Sequence, residues 1–206
     1  MYKRQKYYKK YTKLKTAQRI LTEQIEKARG ELFYLASVEE AASRAENEND
    51  LAGIRRELAL SGYVRGNAQT AKPPQKETAL PFRCRTTGGR TLYVGRNNMQ
   101  NDYVTTKLSK KSDWWFHVKG GHGSHVVMLC EPEEDPSAED FTEAAAAAAY
   151  YSEMRGGEKI AVDYTQIKNV KKPSGAVPGK VVYYTNYTAY VDPKKPMAAD
   201  DPSKKA

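Results

Sequence analysis

All ten prolines of this 206-residue chain lie after residue 72. Residues 1–71 are instead rich in Lys, Glu, Ala and Leu, side chains that lose little freedom in a helix. Leu14, Leu21, Ala28 and Leu35 recur every seven residues, and Gln18, Ile25 and Leu32 fall four after the first three of them. This a/d seam of about three heptads predicts a helical coiled-coil arm. An isolated helix is marginal in water, so the stripe needs a partner. The rest of the chain holds no matching heptad run, which puts that partner on another chain, by self-association, or in a preceding N-terminal part. A second helix is expected from Asn49 or Asp50, with Leu51, Ile54 and Leu58 on one face and Gly62 at its end. The helical segment thus covers 1–66, and residues 67–80 read as a linker stiffened by Pro73 and Pro74.

From Leu80 the period changes from that of helices to that of strands. Residues 82–87 and 90–95 read as a hairpin across Gly88-Gly89. Residues 97–108 read as a short helix, 113–119 and 125–130 as strands, and 141–154 as a helix containing six consecutive alanines. Residues 160–164, 180–185 and 187–191 complete the strands. The expected class is α+β: a mostly antiparallel sheet with two packed helices over 81–193, preceded by the helical arm. The tail 194–206 is expected to be disordered.

No window holds 18 apolar residues, which excludes a helical membrane span. The basic start has no apolar stretch behind it and is not a secretory signal. Two cysteines, Cys84 and Cys130, are too few for a disulfide scaffold or a four-cysteine zinc site. A cytoplasmic setting is the expectation. The net charge of +9 is unevenly spread. Residues 1–20 hold eight cations and no acid, 83–119 hold eight against two, and 155–180 hold six against two. Residues 131–143 hold seven acids and no base. Basic stretches around one acidic segment suggest a polyanionic partner, although solubility alone also accounts for a modest surplus.

The strand 113–119 is the most informative. Alternation puts Trp114, Phe116 and Val118 on a core face, and Asp113, Trp115, His117 and Lys119 on the other. An aromatic ring beside cations suits base stacking and phosphate pairing. The alternative is that Trp115 packs under the alanine-rich helix while His117 makes a structural hydrogen bond. The three histidines, His117, His122 and His125, fall within nine residues, but their spacing matches no zinc motif and no metal is expected. Gly120 to Ser124 form a loop able to turn N–H groups toward an anion, or merely a flexible turn. Residues 171–180 combine three lysines with two Pro/Gly turn signals and read as an exposed basic loop. Residues 95–102 concentrate amide side chains that can read base edges, or simply cap the next helix. No P-loop, GxGxxG or GxSxG occurs, and no nucleophile–base pair stands out.

Together, GRNNMQND, DWWFHVKGGHGSHVV, EAAAAAAYYSEMR, VDYTQIKNVKKPSGAVPGKVVYY and the closing YVDP resemble the NFACT RNA-binding domain. This is the C-terminal module of the NEMF and RqcH ribosome quality control family, often labelled fibronectin-binding in bacteria. Residues 1–65 resemble part of that family's coiled-coil middle region. The resemblance implies a C-terminal piece of a larger factor that binds stalled large-subunit complexes carrying peptidyl-tRNA. It implies support for tRNA recruitment during C-terminal alanine tailing, by binding rather than catalysis and without a cofactor. Large-subunit RNA, tRNA and the N-terminal part of the same protein are the implied partners.

Arg96, Asn97, Asn98, Asn101 and Asp102 match the first family motif. Asp113, Trp115, His117, Lys119, Gly123, Ser124 and His125 match the second. Lys168, Lys171, Lys172, Gly175, Pro178 and Gly179 match the third. Excluding the acids and loop-shaping residues, and adding Lys107 and Lys180, these are the expected RNA contacts. His122 and Ala161 stand where the family usually has proline. The competing readings are a fibronectin-binding surface adhesin and a metal-dependent nuclease built on the histidines.

Overall fold

The computed structural model describes residues 2–65 and 80–198. Two compact units divide the chain, residues 1–36 and 37–206. Within the first unit the chain is helical from Tyr2 onward. Its surface ion pairs, Arg19 with Glu23 and Arg29 with Glu26, lie at i,i+4 and i,i+3 spacing. The heptad leucines Leu14, Leu21 and Leu32 and Ile25 stay exposed.

The second unit begins in the last turns of that same helix, α1 (Tyr2–Ser43), and continues into α2 (Glu48–Leu60). Asn47, not Asn49 or Asp50, caps α2: its side chain accepts from the N–H groups of Asn49 and Asp50. The expected linker lies outside the described residues except for Leu80. Then come β1 (Phe82–Arg85), β2 (Thr91–Val94) and α3 (Asn98–Tyr103). A π-helical turn, Val104–Leu108, extends α3, and the two together fill the short helix expected over 97–108. The wider turn leaves both Val104 and Thr105 buried. β3 (Trp114–Val118), β4 (Val126–Met128), α4 (Ala138–Tyr150) and β5 (Ile160–Gln166) come next. After a 3₁₀ turn come β6 (Val170–Lys171), β7 (Val182–Tyr183), β8 (Tyr187–Val191) and β9 (Met197–Ala198).

Seven strands form one antiparallel sheet in the order β8-β5-β3-β4-β2-β1-β9, and β6-β7 make a separate ribbon. The fold is α+β. Residues 194–198, expected to be disordered, are instead structured. Lys194 N–H donates to the Ala146 carbonyl at 3.2 Å, and β9 pairs with β1. A flat sheet would put the outer strands about 29 Å apart at ~4.8 Å per step. Residues 191 to 197 span at most about 22 Å. The sheet therefore curls around α4, and the closing strap crosses the helix. This enclosure explains why all of Ala144 to Ala149 are buried: alanine's short side chain lets the sheet and the strap lie close to the helix, and it loses no side-chain entropy there.

α4 starts at a capping box, in which Ser137 accepts from Asp140 N–H and the Asp140 carboxylate accepts from Ser137 N–H. The same carboxylate accepts from Thr86 Oγ1 at 2.6 Å, tying the helix start to the β1–β2 turn. Phe116, Val118, Val126, Met128, Leu92 and Val162 form the core under α4. A second, smaller core of Val104, Trp115, Val127 and Ile167 lies on the opposite face of the sheet. Tyr93, Val170, Val181 and Tyr183 cover it. No described helix is long and apolar enough to cross a membrane.

Candidate nucleic-acid interface

Strand alternation sets the two faces of β3 as the sequence predicts, but the second face is not open. Trp115 is 1% exposed. Its indole stacks on His117 at 5.7 Å and 11°, and meets His125 at 5.2 Å and Tyr183 at 4.9 Å. The cover comes from the π turn and the β6–β7 ribbon, not from the alanine-rich helix, which lies on the other side. In this fold Trp115 is not available to stack on a base. The stacking alternative is corrected; the packing alternative holds in that Trp115 is core, but of the smaller core rather than under the alanine-rich helix. Its Nε1 is the one buried side-chain polar atom without a hydrogen-bond partner among the described residues.

The imidazoles beside it are structural too. Burial pushes His117 down to about 4, with the neighbouring His122 adding to the fall. Burial and the charge of His117 hold His125 well below the usual histidine range. Burial thus disfavours the charged form of both rings. His125 Nδ1 lies 2.8 Å from Thr105 Oγ1, and the His125 backbone N–H donates to Asn101 Oδ1 at 3.0 Å. Asp163 accepts from Tyr183 O–H at 2.8 Å and from Thr188 O–H at 2.5 Å. Lys119 reaches the same carboxylate at 3.6 Å while staying largely exposed. Burial and the Asp163 carboxylate push Tyr183 up to about 12.

The first motif also turns inward. Asn97 caps α3 by accepting from Gln100 N–H at 2.9 Å. Asn98 donates to Ser37 Oγ at 2.9 Å and to the buried Glu57 carboxylate at 3.0 Å. Arg96 pairs with Asp50 at 3.0 Å and lies over the Phe82 ring. Asn101 donates to the Gly123 carbonyl at 3.3 Å. Ser124 accepts from Arg44, whose guanidinium also pairs with Glu40. These residues join the end of α1 and α2 to the sheet; Arg96, Asn97, Asn98, Asn101, Ser124 and His125 are thereby spent on internal bonds. The glycine loop is no open anion cradle either. Ser124 N–H donates to the Tyr151 carbonyl at 2.8 Å, and His122 N–H to Glu153 Oε1 at 2.9 Å. A Cβ at Gly123 would lie 2.8 Å from Ser152 Cβ, so the close approach requires glycine.

The third motif is different. Lys168, Lys171 and Lys180 are exposed, as is Lys107 on the π turn. None of the four makes an ion pair among the described residues. Lys172 is engaged: it pairs with Asp102, whose other oxygen accepts from Gly179 N–H at 3.1 Å. Gly179 takes φ +79° and its Cβ position would fall 2.4 Å from Asn98 Oδ1, so only glycine closes the loop against α3. One lysine thus anchors the loop, and the remaining cations point to solvent on the face opposite α4. The acidic segment is balanced elsewhere. Glu134 and Asp140 face Arg90, and Glu131 faces Lys110.

Comparison with known proteins gives this arrangement a family. The family model "NFACT N-terminal and middle domains" matches residues 3–77, and "NFACT protein RNA binding domain" matches residues 80–184. The chain is similar to the Rqc2 homolog RqcH of Bacillus subtilis, 37% identical over 190 residues. It is 40% identical over 191 residues to the Rqc2 homolog RqcH of Streptococcus suis. In each case the match covers 92% of this chain but 33% of the relative, so the chain spans a third of the length of these relatives. A solved structure, that of the C-terminal of the fibronectin/fibrinogen-binding protein from Streptococcus suis, superposes with a TM-score of 0.84 at 39% identity. That match covers 92% of this chain and 74% of the other. With the RNA-binding model spanning half of its length and the fold shared at this identity, the chain belongs to the NFACT family and carries that family's RNA-binding domain.

Proposed function

We propose that this chain is the RNA- and ribosome-binding end of a ribosome-associated quality control factor in the cytoplasm. It engages large-subunit complexes that still carry peptidyl-tRNA, and it supports tRNA recruitment for C-terminal alanine tailing. It binds large-subunit RNA and tRNA and is not itself an enzyme. The observation that carries this reading is the set of exposed lysines, Lys107, Lys168, Lys171 and Lys180, on the face opposite α4, none of them in an ion pair among the described residues. Lysines free of internal pairs are able to displace counterions from a phosphate backbone. The likeness to relatives named as Rqc2 homologs supports the ribosomal setting. The exposed Leu14, Leu21, Ile25 and Leu32 stripe takes a second helix, from the N-terminal part of the same protein or from another copy.

The test is salt-dependent binding of the chain to tRNA, to large ribosomal subunits and to fibronectin, side by side. Binding to RNA is expected to weaken linearly in log–log salt plots. Replacing Lys171 and Lys180 with Gln is expected to flatten the slope by about two charges' worth. Salt-insensitive binding to fibronectin with none to RNA would overturn the proposal in favour of an adhesin.

A further inference from the structure

Burying Trp115 removes the stacking ring expected from the sequence, but the ribbon that buries it brings another to the surface. β6 and β7 pair with Val170 opposite Tyr183 and Lys171 opposite Val182. Residues directly opposite share a face, and alternate residues along a strand do too. Val170, Val181 and Tyr183 therefore face inward, onto the Trp115 cluster. Lys171, Val182 and Tyr184 face outward. Tyr184 N–H donates to the Asn169 carbonyl at 3.1 Å, so the pairing continues past β7 and holds the Tyr184 backbone. Tyr184 is 60% exposed. Its sequence neighbours Tyr183 and Tyr187 have ring partners: Tyr183 has Trp115, and Tyr187 has Trp114 and Tyr164. Tyr184 has none among the described residues.

Lys171 lies diagonal to Tyr184 across the ribbon, a spacing within reach of long side chains. Lys180 lies two residues before β7, in the loop that leads into the ribbon, and Lys168 adjoins Asn169. An exposed ring on a fixed backbone, bordered by cations without acid partners among the described residues, is the arrangement that takes an unpaired base and its flanking phosphates. A duplex keeps its bases stacked on each other and offers no face to such a ring.

We propose that Tyr184 is a base-stacking residue of this domain and that its ligand is an unpaired stretch of RNA, with Lys171 and Lys180 on the adjoining phosphates. The inference rests on the RNA-binding reading above and adds the strandedness of the RNA and the residue that senses it. The hydrophobic Val182 beside the ring continues the platform. Tyr184 carries no charge, so its share of binding is independent of salt, unlike that of the lysines.

The test uses the full chain with a fluorescent 12-nucleotide single-stranded RNA and a duplex of the same sequence. Tyr184→Ala is expected to weaken single-strand binding about 5- to 150-fold, the range of one base stack, with the salt slope unchanged. Tyr184→Phe is expected to bind like the parent, and duplex binding to be indifferent to both changes. A 2-aminopurine in the single strand is expected to be quenched on binding the parent but not the Tyr184→Ala variant. Unchanged binding by Tyr184→Ala, while the Lys171 and Lys180 replacements weaken it, overturns the stacking role and leaves the RNA reading intact. Equal losses for Tyr184→Ala and Tyr184→Phe, or for single strand and duplex, also overturn it. No binding of either RNA by the parent overturns both readings.

Discussion

Residues 96–101 and 168–180 carry comparable chemistry, cations and amides in short polar runs, yet the fold uses them in opposite ways. In the first run nearly every polar side chain ends on a protein partner: Arg96 on Asp50, Asn97 on Gln100, Asn98 on Glu57 and Asn101 on Gly123. In the second, Lys172 fixes the loop to Asp102 and Asn169 donates to Thr165 Oγ1 at 2.9 Å, while Lys168, Lys171 and Lys180 face water. A polar residue inside a domain must find a partner or cost stability, and once it has one it is not free for a ligand. The richest polar motif is thus the joint between helices and sheet, and the plainer lysine loop is the exposed surface.

This contrast predicts large stability effects inside and small ones outside. Trp115→Ala is expected to cost about 3–5 kcal/mol in urea unfolding, because it empties the smaller core. A loss below about 1 kcal/mol would mean that the ribbon does not cover Trp115 in solution.

Acid is expected to act next most strongly. His117 is held neutral in the fold, at about 4 against 6.5 in the unfolded chain. Its contribution is fully present above pH 6.5 and is lost as pH falls toward 4, because the unfolded state takes up the proton first. The loss reaches roughly 2–3 kcal/mol. His125 acts in the same direction. Urea midpoints measured between pH 7 and pH 4 should fall, and His117→Gln should flatten the dependence.

Asn98→Ala is expected to cost about 1–3 kcal/mol, since it withdraws a donor from the buried Glu57. In the folded variant the salt slope of RNA binding should match the parent. A reduced slope would show that this segment reaches phosphate after all. At the other extreme, replacing Lys171 and Lys180 with Gln should leave stability within about 0.5 kcal/mol while altering RNA binding. Substantial unfolding would show that these lysines hold the loop as Lys172 does.

The sequence by itself determined the helical first third and the change of period at residue 80. It also determined the antiparallel character of the strands beyond residue 80 and the two faces of β3, because period and turn chemistry are local properties. It pointed to the lysine loop, since three lysines flanking two Pro/Gly turns have few ways to be buried. It did not reveal that β9 closes the sheet: two paired residues after a proline-containing strap carry no periodic signal. It did not distinguish Asn98 from Lys171 as a binding residue either. Asn98 is buried because Ser37 and Glu57, 61 and 41 positions earlier, return to meet it. Likewise the open-looking face of Trp115 is closed by Tyr183, 68 positions later, and the same ribbon that closes it turns Tyr184 outward. Alternation along a strand says which residues share a face; only the packing of distant segments decides which face meets water.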